Sequence, residues 1–297
     1  TSNGNVTVIN STFNNNEESG NDVYGYGGAI YGVSSVTVIN STFINNTASY
    51  CGGAISVEGD VTVSSSTFIN NTGGSYGAAI FANGDRSLNV INSIFTNTQA
   101  SVGGAIYGYG GNVSNSTFIN TTGEYGGGVF FGEFGNVSNS TFINTNGVSG
   151  GAIYVEASVT VSDCTFNNTT SNQDGGAIYG SHDGIITVIN STFKDTKSKE
   201  GRGGAISTRE GDMPITVIDS SFINTTAMQG SDIYSESTVT LMGNDYDGKT
   251  TYNNTEVVSN TIINVTSESF EAVQLYIDIT PVNSVLNLPN RKYTANE

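Results

Sequence analysis

Apolar residues recur along this chain at two scales. Within a segment such as Val36-Thr37-Val38-Ile39-Asn40-Ser41-Thr42-Phe43 they alternate with polar ones, and the segment itself returns about every 25 residues. Its Phe recurs as Phe13, Phe43, Phe68, Phe95, Phe118, Phe142, Phe166, Phe193 and Phe222, with Tyr246 as a worn further copy. Five positions earlier stands Val8, Val38, Val63, Val90, Val113, Val137, Val161, Val188, Val217 and finally Leu241. Alternation at period two predicts a strand whose valines share one face. The Ser two before each Phe shares the Phe face. Val38 and Ser41 are three apart, however, so the parity flips between them. A bend is therefore expected at Asn40 and its equivalents, which are Asn, Ser or Asp down to Asp219.

Two positions beyond the Phe comes a column of amides that includes Asn45, Asn70, Asn120 and Asn144. One Asn per layer predicts a hydrogen-bonded ladder along the stack, expected to lie on the inside with the Phe column. The intervening column holds Lys194 as well as Ile44 and Ile119, so it faces outward. After a variable loop follows Gly52-Gly53-Ala54-Ile55 and its copies; the glycine pair permits a tight bend or close backbone approach. Parity alone leaves open whether Ile30 or Tyr31 points inward. The next column varies as Tyr31, Ser56, Phe81, Tyr107, Phe130, Tyr154, Tyr179, Ser207 and Tyr234, which favours Ile inward and an aromatic stripe outside.

Each repeat thus reads as three short strands and three turns. That is one coil of an all-β, right-handed, single-stranded parallel β-helix of about ten coils, because a lone coil cannot bury its apolar face and stacking does so continuously. The period is too short for propeller blades of about 40–50 residues. Composition agrees: of 297 residues 38 are Gly, only 3 are Pro and none is Trp. The repeat domain is expected over residues 1–248. Beyond it a C-terminal strand-rich cap or linker, 249–297, contains the alternating run Phe270, Val273, Leu275, Ile277 and Ile279, ended by Pro281. That run reads as an assembly strand, and residues 283–297 as a linker or the start of another β module.

The charge is −17 and no Lys or Arg precedes Arg86, so the chain is repelled by nucleic acid and anionic lipid headgroups and neither is expected as a partner. No apolar run reaches the roughly 18 residues of a bilayer span. The chain begins at Thr1 inside a repeat and reads as part of something longer. Cys51 and Cys164 lie several layers apart, about 24 Å at the usual strand spacing, beyond disulfide reach. Cys164 occupies a slot that is Ser in the other copies, so it reads as a small buried substitute.

The pairing of Gly-Gly-Ala-Ile with Phe-x-x-Asn units resembles the repeats of chlamydial polymorphic membrane proteins. The finer pattern, Val-Thr-Val-Ile-Asn-Ser-Thr-Phe-Ile-Asn-Asn-Thr with Gly-Gly-Ala-Ile-Tyr, is similar to adhesin-like surface proteins of methanogenic archaea. The resemblance covers residues 5 to about 248. It implies a secreted, extracellular β-helix at the cell surface, concerned with adhesion, and it carries over no catalytic motif.

Chemistry is sparse. Glycoside hydrolysis needs two carboxylates about 5–9.5 Å apart. Asp163 and Asp219 share the bend column two coils apart, about 9.6 Å at the usual strand spacing, but Asn190 stands between them and Asn fills the column in most copies. Replacement of Asn by Asp on a turn is the simpler account. Ser181-His182-Asp183 has the letters of a triad, yet sequence neighbours cannot adopt triad geometry. Asp245-Tyr246-Asp247-Gly248 opens like a calcium loop without its bidentate Glu. No catalytic residue, metal or cofactor is assigned. Of the many Asn-x-Ser/Thr matches, those in the ladder are expected to be unreachable, leaving Asn253 and Asn264 as glycan acceptors.

Lys197, Lys199, Arg202 and Arg209 cluster in the late inserts and form a candidate partner-binding loop. The expected function is a non-enzymatic surface adhesin meeting glycans or other surface proteins. A structural filament subunit joining head to tail is the alternative, and a polysaccharide-active β-helix enzyme a weaker one.

Overall fold

The computed structural model describes residues 3–18, 26–84, 88–209 and 212–246, together with the strands Glu256–Ser259, Ile262–Thr266, Gln274–Ile277 and Val285–Asn287. Among these residues there is no helix, and every strand pairing is parallel. The chain winds as a β-solenoid. One turn runs through an Ile strand (Ile30–Gly32), a Val strand (Val36–Ile39) and a Phe strand (Thr42–Ile44), as expected. A fourth, two-residue strand, Thr47–Ala48, follows the Phe strand and was not foreseen. The Phe strands stack into a ten-stranded sheet, and the Ile and Val strands join into one of 21 strands.

Register is kept residue by residue. Phe43 aligns with Phe13 and Phe68, and Val38 with Val8 and Val63, although the coils differ in length. Inserts are therefore absorbed in turns. Inside, the Phe rings lie face over face, with centroids 4.6–5.1 Å apart and planes within 2–7°. Offset stacking of this kind adds about 0.5–1.5 kcal/mol per pair to the burial of the rings themselves. The Val and Ile columns complete the core, with Ile30, Ile55 and Ile106 pointing inward. Large residues are matched by glycines both within a coil and between coils. Phe131 fills space that a Cβ on Gly135 of the same strand would enter, to 2.2 Å of its ring, and the Phe134 ring would stand 2.6 Å from a Cβ on Gly110, its partner one coil earlier.

The bend at Asn40 is a left-handed corner. Asn10, Asn40, Ser65, Asn92, Asn115, Asn139, Asp163, Asn190 and Asp219 all have φ between 46 and 55°. Asn and Asp tolerate this conformation best among residues bearing a side chain. The Asn45 column adopts it too, at φ 52–54° from Asn15 to Asn224. Here the expected inward ladder is corrected. The ladder exists, as Asn120 Nδ2 donates to Asn97 Oδ1 at 3.0 Å and Asn144 Nδ2 to Asn120 Oδ1 at 3.1 Å, but Asn45, Asn70, Asn120 and Asn144 are exposed. The positive φ reverses the strand alternation, so the inward polar residue is one position later. Asn46 and Asn71 are fully buried there; Asn71 Nδ2 donates to the carbonyl of Phe43 at 3.0 Å.

A second, buried ladder runs along the Ser column. From Ser11 to Ser116 the backbone N–H donates to the hydroxyl of the next coil, as from Ser93 to Ser116 at 3.2 Å, while that hydroxyl donates to a carbonyl two residues back; at Ser220 the acceptor is Asn244 Oδ1 instead. Cys164 takes the same place: its N–H donates to Ser191 Oγ at 3.1 Å and its Sγ lies 3.2 Å from the carbonyl of Ser162. Both cysteines are buried and free.

Among the described residues the last Phe-type strand is Asp245–Tyr246, and residue 248, where the boundary was expected, lies outside them. The described parts of 249–297 continue the larger sheet. Glu256–Ser259 lies on Ile233–Ser235, and Ile262–Thr266 on Val239–Met242. Gln274–Ile277 and Val285–Asn287 add a further layer.

Candidate functional site: the outer faces of the rod

The outward aromatic column is outside the main core, as expected, but it is not an open stripe. Phe130, Tyr154 and Tyr179 form a small cluster of their own, flanked by Val102 and Tyr107, and each is less than a tenth exposed. Turn residues just before the glycine pair fold over the row. Tyr76 meets Tyr107 edge to face at 5.1 Å, and Tyr125 meets Tyr154 in the same way at 5.3 Å. Among the described residues the exposed aromatics are instead Tyr109, Tyr125 and Phe134. Tyr109 and Phe134 sit on the long strands Ile106–Ser114 and Val129–Ser138, where the usual turn between Ile and Val strands is absent and the register slips between Gly108 and Gly110.

Of the basic cluster, two members are engaged by acids. Arg202 lies 4.6 Å over the Tyr234 ring, donates to the Tyr234 hydroxyl at 2.9 Å and pairs with Glu236 at 3.3 Å. Arg209 is 3.7 Å from Asp174, whose other oxygen accepts the backbone N–H of Arg202 at 2.8 Å. Lys199 turns elsewhere and donates to Asn172 Oδ1 at 3.1 Å. Lys197 is exposed on the short strand Lys197–Ser198.

Asp163 is a rung of the exposed corner ladder, accepting from Asn190 Nδ2 at 2.6 Å. In Ser181-His182-Asp183, Ser181 Oγ and His182 Nδ1 are 2.9 Å apart, while the Asp183 carboxylate accepts the backbone N–H of Asp212. The carboxylate is thus committed to the loop and not to the imidazole. Asp247 and Gly248 of the calcium-like sequence lie outside the described residues, as do Asn253, Phe270, Val273 and Ile279. Asn264 is a strand residue in register between Thr240 and Asn287. Leu275 and Ile277 are in register with Val257 and Ser259 of the same chain. The exposure of Asn40, Asn70 and Asn120 reverses the expectation that ladder acceptors are unreachable.

Burial pushes the thiols of Cys51 and Cys164 up to about 12; a backbone hydrogen bond from Ser140 opposes the shift at Cys164 only in part. Tyr31 is also raised to about 12, chiefly by its hydrogen bond to Glu58. A proton held more tightly in the folded than in the unfolded state gives stability that is complete below the unfolded value and lost as pH rises through the folded one. The urea midpoint is therefore expected to fall between about pH 8.5 and 12, with Cys164→Ser removing its share of that fall. Neither thiol should react with an aromatic disulfide at pH 8 until the protein is unfolded.

One feature was not legible as a site in the sequence. An open groove of about 620 Å³ runs along the rod over the short-strand side, lined by residues from Thr72 to Lys199. Its floor is made of the small buried residues Gly73, Ala100, Gly123 and Gly147. Turn length explains it. From Phe to left-handed Gly the chain is one residue shorter at Phe95–Gly103, Phe118–Gly126 and Phe142–Gly150 than at Phe68–Gly77 or Phe166–Gly175. The signal was in the compact middle repeats, but only stacking turns it into a trough.

The fold and the column geometry define a repeat protein built as a parallel β-solenoid. A model of the Chlamydia polymorphic membrane protein repeat matches residues 40–58, which run from the left-handed corner at Asn40 through the Phe strand and the glycine pair to Glu58. No curated protein and no solved structure matches the chain.

Proposed function

We propose that this chain is the rod of a non-enzymatic surface protein that acts by attachment, as an adhesin does, with glycans or other surface proteins as partners. The observation that supports the reading is the polymorphic-membrane-protein repeat at residues 40–58. That coil is in register with its neighbours on both sides, so the same unit is repeated along the rod. The resemblance to adhesin-like proteins of methanogenic archaea supports the same reading and an extracellular location. No helix among the described residues is long and apolar enough to cross a membrane. The test is binding of the full chain to a glycan array and to whole cells. Saturable binding is the expected result, and its absence from every glycan and cell type would sink the attachment reading. If changing Lys197, Lys199, Arg202 and Arg209 together to Ser leaves binding intact, the late basic loop is not the contact.

A further inference from the structure

We propose that the groove over the short-strand side binds a neutral linear polysaccharide laid along the rod axis. The proposal rests on the attachment reading above and names its site and ligand class. One wall presents Thr72, Gln99, Thr122 and Asn146, all exposed and each bridged to the next across successive coils. Successive coils are about 4.8 Å apart, close to the rise of one β-linked hexose in an extended chain, so each sugar meets an equivalent side chain. The wall groups are hydroxyls and amides, which both donate and accept, as sugar hydroxyls do; Asn146 already donates to the Asn144 carbonyl and accepts from Thr170, so Thr72, Gln99 and Thr122 carry most of the contact. Between the exposed side chains the floor is backbone: at Gly73, Gly123 and Gly147 a Cβ would point into the coil, toward the turns at Gly77, Gly126 and Gly150, and not into the groove.

Competing occupants fit less well. An extended peptide adds to a sheet through unpaired backbone groups, but here the N–H groups of Thr72, Gln99, Thr122 and Asn146 already donate to carbonyls of the preceding coil. A chain lying along the axis also crosses the strands instead of running beside one. An acidic polymer meets a molecule of charge −17, and the groove offers one Lys, Lys199, opposed by one Glu, Glu124. Lys199 is itself tied to Asn172 on the opposite rim from the Thr72 wall.

The experiment is calorimetric titration of the full chain with cello- and xylo-oligosaccharides of increasing length and with polygalacturonate. Affinity for a neutral series should rise with length and level off once the chain spans the groove. Gln99→Ala, Thr122→Val and Asn172→Ala together should weaken it at least tenfold, with circular dichroism and melting temperature unchanged. Tyr109→Ser with Phe134→Ser, at the exposed aromatic pair outside the groove, should leave it intact. Loss in that aromatic variant alone places the sugar there and overturns the proposal. Salt-sensitive binding of polygalacturonate in place of the neutral series also overturns it. Cell binding without binding of any of these glycans overturns the groove while leaving attachment standing; no binding to cells or glycans removes both.

Discussion

Replacing Phe118 by Ala is expected to cost about 3–5 kcal/mol, the range for removing a fully buried aromatic ring from a core that cannot collapse onto the cavity. The ring is fully buried and lies between Phe95, 4.9 Å away, and Phe142, 4.6 Å away. Both neighbours are held by their own strands in parallel register, so neither can move in without breaking a rung. In a solenoid each coil is stabilised mainly by the two beside it, so a hole in the middle weakens two interfaces at once. The same change at Phe13, partly buried and stacked on Phe43, should cost less than half as much. Urea unfolding followed by circular dichroism measures both. Equal costs at the two sites would show that the stack does not carry the stability assigned to it.

Gly103→Asn is expected to be nearly as damaging, at about 3 kcal/mol or more, although Asn is the residue this chain uses for left-handed backbone elsewhere. Gly103 has φ 63°, close to the 53° of Asn120. The difference is what a side chain meets. A Cβ on Gly103 would stand 2.2 Å from the carbonyl oxygen of Ile106 and 2.7 Å from its carbon, both backbone atoms of the same tight turn. The left-handed conformation alone costs about 1–2 kcal/mol for a residue with a Cβ, and forcing a backbone clash about 1–3 kcal/mol more. Asn120→Gly is the matched control. It removes an exposed ladder amide, bonded to Asn97 and Asn144, while keeping the backbone conformation free of penalty, so about 1 kcal/mol is expected. If both variants melt together, the close approach at the glycine pair is not what demands glycine.

Much of the fold was legible because strand parity is local. The spacing of Val38, Ser41 and Phe43 required a bend at Asn40, and the left-handed corner is there. The outward setting of the column holding Lys194 and Ile119 followed from chemistry, since a lysine set against the core would have no partner. The candidate sites were less legible. Arg202 and Arg209 read as a free positive loop because Asp174 and Glu236, which engage them, are distant in sequence and enter from adjoining coils. The aromatic stripe read as open because nothing in the period of Tyr107 or Tyr154 tells that Tyr76 and Tyr125 fold over them from turns.

By itself the sequence determined which residues form the stacked columns and their order along the rod, because identical coils in parallel register place like on like. Phe13 to Phe222, the valines and the Ser–Cys164 ladder all follow from that rule. The tertiary structure alone decided what happens at corners and between turns. A φ near +50° reversed the face of the Asn45 column and sent Asn46 inward in its place, a choice set by backbone geometry that side-chain alternation does not record. The groove exists because three successive turns are shorter than those flanking them, and a depression of that kind is a relation between neighbouring coils, with no counterpart in any one repeat.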